Sequence, residues 1–304
     1  MKRAILISFI ISGILFFFAC TKDEDTTSTQ EATDAIEKIS TSETVIEDAI
    51  EEANYEVDLF SSSQQLLDNY ISNGNQWPDG YLNNEWAFGR RYRIHQCPEV
   101  TIVTEPGGYP KTVTLNYGEG TELNNGRILS GIIQYVITAP MFEDGSSRTV
   151  SYLDFAVDSL GISGSNVHLF SGDNETQRQF TITGTLTFTW SDGSGITREV
   201  DMVREWIAGI ETEFNPFDDV ILISGTSTLT HTDGDVFFKE ITDPLMKKGD
   251  CRWIVQGTVE FTKNSVLTAT LDYGDGECDQ YAILTYNGED HQIIIGRKKW
   301  GNKK

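Results

Sequence analysis

The feature that most constrains the fold of this chain is an alternation of apolar and polar residues with a period of two. It is clearest over residues 180–190, FTITGTLTFTW, where every odd position from 181 to 189 is Thr and the even positions are apolar or Gly. Successive side chains of a β-strand point to opposite faces, so this pattern predicts a strand with one buried and one solvated face.

Similar alternating runs recur between about residue 97 and residue 297. They lie near residues 99–104, 111–117, 128–138, 149–159, 197–210, 220–230, 252–262, 266–273, 280–286 and 291–297. Turn sequences such as Asp192-Gly193 and Asn287-Gly288 separate them. Parallel strands need crossover connections of a dozen or more residues, and these links are too short. We therefore predict a mainly β fold: a long, strongly curved antiparallel β-meander, either a half-barrel or a two-layer sandwich, over residues 97–297.

Four predicted strands carry a glycine in the middle of their apolar face. These glycines are Gly131, Gly184, Gly225 and Gly257. Glycine weakens a strand interior unless it permits a bend or a close approach of another backbone. We expect the sheet to bend at these positions. The alternative is that the glycines form a groove that seats the N-terminal helix, and both interpretations place them on the concave side.

Residues 34–96 are predicted to be helical and irregular. An apolar stripe with mostly helical spacing begins there, with acidic residues on the other face. Its members are Ile36, Ile39, Ile46, Ile50, Ala53, Val57 and Phe60. Because residues 40–42, Ser-Thr-Ser, interrupt the stripe, we expect one short helix and a longer one near residues 42–60. We expect this helix to pack on the chain's own sheet, and the alternative is an amphipathic helix that binds a partner.

The sequence contains one internal repeat. Residues 112–120, TVTLNYGEG, match residues 268–276, TATLDYGDG, at six of nine positions. Both copies end a predicted strand. The repeat predicts a duplicated hairpin at the two ends of one sheet.

The strand register predicts a disulfide between Cys251 and Cys278. If strands 251–263 and 266–278 pair through a turn at residues 264–265, the numbers of opposed residues sum to 529, as do those of the two cysteines. Directly opposed residues have Cα atoms about 4.5–5.5 Å apart, which is within disulfide range. Cys97 would remain a free thiol. The alternative is a slipped register with unpaired cysteines.

The N-terminal residues indicate an exported protein. Residues 1–19 have a basic start and an apolar run shorter than the roughly 20 residues of a membrane-spanning helix, which is typical of a signal peptide. Residues 20–33 are predicted to form an acidic disordered tether, and residues 298–304 a basic tail. The whole chain carries 46 Asp and Glu against 23 Lys and Arg. Such a charge disfavours nucleic acid as a partner.

Two motifs resemble known proteins. Residues 17–20, Phe-Phe-Ala-Cys, resemble the lipobox of bacterial lipoproteins, which implies that Cys20 is acylated; the alternative is an ordinary secretory signal. The Lys and acids at residues 22–25 resemble a surface-export signal. Residues 271–279, LDYGDGECD, resemble the C-terminal hairpin of Gram-negative surface lipoproteins of unknown function. The resemblance implies a lipid anchor in the outer membrane facing the exterior, with the periplasmic face as the alternative.

No catalytic motif, phosphate-binding loop or metal-ligand spacing occurs in the sequence, so we expect neither catalysis nor a cofactor. His95, His168, His231 and His291 are expected at the surface or in turns. Four acids near one strand end are weak candidates for a calcium site: Asp272, Asp275, Glu277 and Asp279. We expect a binding or scaffolding protein whose partners are membrane lipid, through Cys20, and an extracellular glycan, protein or lipid. The alternatives are a carrier of an apolar ligand in the concave sheet and a carboxylate-based hydrolase.

Overall fold

The computed structural model describes residues 24–61, 68–69, 72–73, 91–92, 98–173, 175–212 and 215–296. Within them lie one long helix, α1 (Glu24–Ser61), and fourteen strands. The strands are β1 (Glu99–Thr104), β2 (Lys111–Asn116), β3 (Thr121–Glu122), β4 (Ile128–Ile137), β5 (Ser147–Val157), β6 (Leu160–Gly172), β7 (Arg178–Thr189), β8 (Gly195–Ala208), β9 (Val220–His231), β10 (Val236–Lys248), β11 (Ile254–Lys263), β12 (Val266–Asp275), β13 (Tyr281–Tyr286) and β14 (Glu289–Ile294).

All fourteen strands belong to one antiparallel sheet, which confirms the predicted meander. The strand order follows the chain from β1 to β14, except that the short β3 lies off this path and pairs with β4. The ends of this order are β1 and β14, so the sheet is not closed into a barrel. A single open sheet corresponds to the half-barrel rather than to the two-layer sandwich.

Helix α1 lies on the concave side of the sheet. From residue 39 to residue 61 the helix is buried or half-buried around its whole circumference. Ile39, Ala53 and Phe60 on the apolar stripe and Glu43 and Glu56 elsewhere each have no exposed surface. The predicted packing of the helix on its own sheet is therefore confirmed. The sheet curves far enough around α1 to cover all of its faces, because side chains from strands as far apart as β5 and β10 contact it.

The prediction of two helices and a disordered tether was wrong for the described residues. Helix α1 is continuous from Glu24, so it includes residues 24–33 and the Ser-Thr-Ser interruption. Inside the helix Ser40 Oγ donates a hydrogen bond to the carbonyl of Ile36 at 2.9 Å, and Thr44 Oγ1 donates one to that of Thr41 at 3.0 Å. Hydroxyls that bond back to the preceding turn are satisfied within a helix. The interruption in the apolar pattern therefore does not end it.

The four mid-strand glycines lie where two strand backbones approach closely. A Cβ atom on Gly131 would lie 2.0 Å from the carbonyl oxygen of Asp154, and all four have a positive φ. The pairing register shifts at Gly131 and at Gly257, which marks β-bulges. At Gly184 the pairing with β6 and β8 continues without a shift. This glycine therefore serves close approach rather than a bulge.

The repeat lies near both ends of the sheet, as far as the described strands show. Its first copy forms β2, the second strand in the order, and its second copy forms β12, which is followed by β13 and β14. One strand, β1, lies outside the first copy and two strands, β13 and β14, lie outside the second, so neither copy forms an edge of the sheet. Residues 298–304, predicted as a basic tail, lie outside the described residues.

Candidate functional site

The concave side of the sheet and α1 meet in a buried network of ion pairs. Among the described side chains of the helix seven acids take part, and most of them recur every four residues along two adjoining faces. They are Glu43, Glu47, Asp48, Glu51, Glu52, Glu56 and Asp58. Their partners are Arg91, Arg127, Arg148, Arg198, Arg204, Lys239 and Arg252. We call these fourteen residues the ion-pair network.

The network begins at Glu43 and Glu47, one helical turn apart. Lys239 Nζ of β10 donates hydrogen bonds to both carboxylates, and Arg198 of β8 pairs with Glu47 at 2.7 Å. All four side chains are buried. Burial alone would raise the pKa of Glu47, but Arg198 and Lys239 hold it well below its usual value. The pKa of Glu43 is raised, because burial outweighs the attraction of Lys239.

The middle of the network contains Asp48 and Glu51. Arg127 Nη1 donates to Asp48, and Arg252 Nη2 pairs with the same carboxylate at 3.1 Å. Arg204 of β8 pairs with Glu51. Arg127 precedes β4 and Arg252 precedes β11, so Asp48 connects two distant parts of the sheet.

At its C-terminal end α1 contacts Arg91 and β5. Arg91 Nε donates to Glu56 at 2.6 Å, and the hydroxyls of Tyr92 and Tyr117 also donate to this carboxylate. Arg148 of β5 pairs with Asp58 at 2.5 Å. A buried charge without a partner is strongly destabilising. The pairs therefore fix both the depth and the rotation of the helix in the sheet.

The histidine prediction was wrong for His168, which is buried within β6. His231 is buried too, but it lies at the turn after β9, where its carbonyl accepts a hydrogen bond from the Gly234 amide, as predicted. His95 lies outside the described residues. Arg148 Nε donates to His168 Nδ1 at 3.3 Å, so this ring nitrogen acts as an acceptor. Burial and the neighbouring Arg148 and Arg204 hold the pKa of His168 well below its usual value. His168 is therefore a neutral member of the interior. His291, by contrast, is partly exposed at the edge strand β14.

The two copies of the repeat each place a tyrosine against the acids of α1. Tyr117 donates to Glu56 at 2.5 Å. Tyr273, at the matching position of the second copy, is buried, and its pKa is raised by burial and by Glu43 and Glu47. The repeat alone gave no sign of this role.

Two cavities of about 250 Å³ each flank the helix beside Asp48. The first is lined mainly by polar and charged residues, among them Glu51, Glu52, Arg91 and Lys247. The second is lined partly by Arg127 and Asp158 and partly by apolar side chains such as that of Trp190. Lys247 Nζ donates to the carbonyl oxygens of Lys248 and Cys251, and burial lowers its pKa. Both cavities therefore bring charged side chains of the ion-pair network into contact with their interior.

A third, smaller cavity of about 40 Å³ contains the carboxylate of Asp219. Burial raises the pKa of Asp219 to about 6, although Trp206 Nε1 donates to it at 3.1 Å. Asp58, Glu51 and Arg204 also line this cavity.

The structure contains the disulfide Cys251–Cys278, with Cα atoms 5.8 Å apart. The register that led to it holds only near the turn, where Lys263 pairs with Val266. Two register shifts then follow, and both cysteines lie outside β11 and β12. The bond therefore closes the far end of the hairpin rather than joining two opposed residues of the ladder. Cys20 and Cys97 lie outside the described residues.

Of the four weak calcium candidates, Asp272, Asp275, Glu277 and Asp279, the first and last form turn contacts through their carboxylates. Asp272 Oδ1 accepts a hydrogen bond from the Gly274 amide at 2.8 Å, and Asp279 Oδ1 accepts one from the Tyr281 amide at 2.8 Å. In the described part of the chain no group of three His, Cys, Asp or Glu is placed to hold a metal ion. No described helix is both long and apolar enough to cross a membrane.

Sequence signals could have located part of the ion-pair network. The acids of α1 recur mostly every four residues. Arg198, Arg204 and Lys239 occupy positions that the alternation of apolar and polar residues assigns to the inner face of the sheet. The pairing itself depends on how the sheet curves around the helix. Comparison with protein-family models, curated proteins and solved structures finds no match to this chain.

Proposed function

We propose that this chain is a lipid-anchored outer-membrane protein that faces the exterior and has a binding or scaffolding role rather than a catalytic one. The lipobox-like residues 17–20 and the acids that follow Cys20 support the anchor and the outward orientation. Membrane lipid would then be one partner, through the acylated Cys20. An extracellular glycan, protein or lipid would be the other.

The observation that carries the proposed role is that α1 fills the concave side of the sheet. A carrier would hold its apolar ligand there, and instead the helix presents Glu43, Glu47, Glu51 and Glu56 to buried cations and tyrosines. Removing the helix would leave those cations unpaired. The outer surface of the sheet is therefore the better location for binding.

The length of α1 suits a support that holds the sheet away from the membrane. Twelve helical residues, 24–35, precede Ile36, the first described residue of the helix that is buried. At 1.5 Å per residue they extend about 18 Å. Since the helix begins four residues after Cys20, the anchor and the sheet would be joined by a largely helical segment.

Metabolic labelling with a palmitate analogue in the native host tests the anchor. The wild-type chain should incorporate the label and fractionate with the outer membrane, whereas a Cys20→Ser variant should not be labelled. Protease added to intact cells should cleave the wild-type protein if it faces outward. Equal labelling of both chains would refute the lipid anchor, and full protection until the cells are lysed would place the protein on the periplasmic face.

Asp219 supports a second candidate, the carboxylate-based hydrolase. A carboxyl with a pKa near 6 can act as a general acid at neutral pH, and Asp58 and Glu51 line the same small cavity. A screen of glycoside substrates with the wild-type chain and an Asp219→Asn variant tests this candidate. Turnover that the variant loses would favour the hydrolase over the scaffold.

A further inference from the structure

The outer face of the central strands differs sharply in charge from the inner face. Between residues 181 and 241 the sequence contains three basic residues, Arg198, Arg204 and Lys239, and all three are buried in the ion-pair network. The same span contains eleven acids, among which Glu199, Asp201, Glu205 and Glu240 are exposed on the sheet. Over this span the outward surface therefore carries negative charge, while the three basic residues lie on the inner face.

Two exposed apolar side chains lie on this outward surface at the start of β10. Val236 and Phe238 of β10 point outward and are 46% and 43% exposed. Phe238 pairs with Thr228 of β9 on one side and with Thr262 of β11 on the other. Exposed aromatic residues surrounded by polar residues are typical of the centre of a protein–protein interface.

Acids surround this patch on both sides. Glu240 follows Phe238 on the same face and pairs with Glu260 of β11. On the other side Glu199 pairs with Thr228, the direct neighbour of Phe238, and Asp201 pairs with Thr226. Neighbouring strands lie about 4.8 Å apart and residues two positions along a strand about 7 Å apart, so these four residues lie roughly 7–12 Å from Phe238 along the sheet. The nearby Lys263 pairs with Asp235 at 2.5 Å.

We propose that this outward surface, which comprises Val236, Phe238, Glu199, Asp201, Glu240 and Glu260, binds a protein whose contact surface has Lys or Arg side chains around an apolar centre. Basic groups would satisfy the carboxylates, and a cation above the ring of Phe238 would gain a further attraction. A second copy of this chain is disfavoured, because each copy carries a formal net charge of −23. The inference rests on the proposed binding role and specifies its partner.

Synthetic peptides test the chemistry of this partner. The protein is a soluble chain beginning at Thr21, which keeps every described residue. The probes are peptides of alternating Lys and Leu, of alternating Lys and Ser, and of alternating Glu and Leu, together with a panel of neutral glycans. At about 0.15 M salt, where long-range attraction is screened, the Lys-Leu peptide should bind more tightly than the Lys-Ser peptide. The Glu-Leu peptide should not bind.

Matched variants separate this surface from general charge attraction. Phe238→Ser should weaken binding of the Lys-Leu peptide by about five-fold or more, whereas Tyr281→Ser, at a 41% exposed aromatic of β13, should leave it unchanged. Glu199→Gln with Glu240→Gln should weaken binding by about three- to ten-fold. The control pair Glu277→Gln with Glu289→Gln removes the same charge elsewhere and should have less than about a two-fold effect. Thermal unfolding confirms that each variant is folded.

Two outcomes would overturn the inference. Equal weakening by both pairs of Glu variants would show that only net charge matters. Binding of neutral glycans, without binding of the Lys-Leu peptide, would make the ligand a glycan rather than a basic protein. Neither outcome affects the Cys20 labelling experiment, so failure of this inference and failure of the proposed lipid anchor are distinguishable.

Discussion

Replacing Glu47 with Gln should strongly destabilise the folded chain. Glu47 is buried and pairs with both Arg198 and Lys239. In Glu47→Gln, Lys239 keeps Glu43, but Arg198 loses the carboxylate that it pairs with while only 2% of its side chain is exposed. Removing one partner of a buried ion pair costs about 3–5 kcal/mol. This is a large part of the roughly 5–15 kcal/mol that stabilises a typical domain.

A double variant tests whether the loss comes from the unpaired charge. Glu47→Met with Arg198→Met removes one charge of each sign and leaves Lys239 paired with Glu43. Apolar replacement of a complete buried pair is often nearly neutral. We therefore expect the double variant to be more stable than Glu47→Gln by about 2 kcal/mol or more. Glu199→Gln, on the outer face beside Arg198, should change the free energy of unfolding by less than about 0.5 kcal/mol.

The contribution of Glu47 to the stability of the folded chain should depend on pH. The pKa of Glu47 is lower in the folded than in the unfolded state, so its contribution to stability is present above its unfolded value of about 4.5. The contribution is lost as the pH falls through the folded value. Urea unfolding followed by tryptophan fluorescence should therefore show the full loss for Glu47→Gln at pH 7. A loss below about 1 kcal/mol at pH 7, or a double variant as unstable as the single one, would refute the reasoning.

Three further perturbations follow from other parts of the structure. The pKa of Asp219 is about 6 in the folded chain, above its value in the unfolded chain. The contribution of Asp219 to stability is therefore fully present below the unfolded pKa and is lost as the pH rises through 6. Urea unfolding should show that Asp219→Asn stabilises the chain by up to about 3 kcal/mol at pH 8 and by little at pH 4. The double variant Cys251→Ser with Cys278→Ser should lower the free energy of unfolding by about 3 kcal/mol. The wild-type chain beginning at Thr21, denatured but not reduced, should show one reactive thiol, and three thiols would contradict the disulfide. Gly184→Ala should cost more than about 1 kcal/mol because its Cβ would lie 2.4 Å from the Ser165 carbonyl oxygen, whereas Gly161→Ala, with its nearest backbone atom at 3.5 Å, should cost less.

The sequence predicts most of the sheet because a period of two is a local signal. The predicted run 99–104 coincides with β1, and most of the others differ from the observed strands by one to three residues. Strands β3, β6 and β10 were not predicted. In β10 the buried Lys239 breaks the apolar face and Pro244 follows, and both features argue locally against a strand. Lys239 is tolerated there because acids of α1 lie opposite it, which is a tertiary effect.

The acids of α1 show where local reasoning fails. An amphipathic pattern normally places charged residues in solvent, and the sequence gives no reason to expect Glu43 or Glu56 to be fully buried. Their burial requires that the sheet reach around the helix and that its inward positions carry cations. Both conditions involve residues more than 30 positions away along the chain. The packing of the apolar stripe of α1 against the sheet was therefore predicted correctly, whereas the burial of the opposite, acidic face of the helix was not.

The distribution of charge links the interior of this protein to its surface. In the described residues the acids of α1 are balanced by cations from the sheet and from Arg91, Arg127 and Arg252, so the interior is close to neutral. Seven of the 23 basic residues of the chain are used in that balance. Between residues 181 and 241 the only basic residues are Arg198, Arg204 and Lys239, and all three face inward. Because these basic residues neutralise the acidic helix in the interior, the outer face between residues 181 and 241 is negatively charged, and it repels anionic partners and favours basic ones.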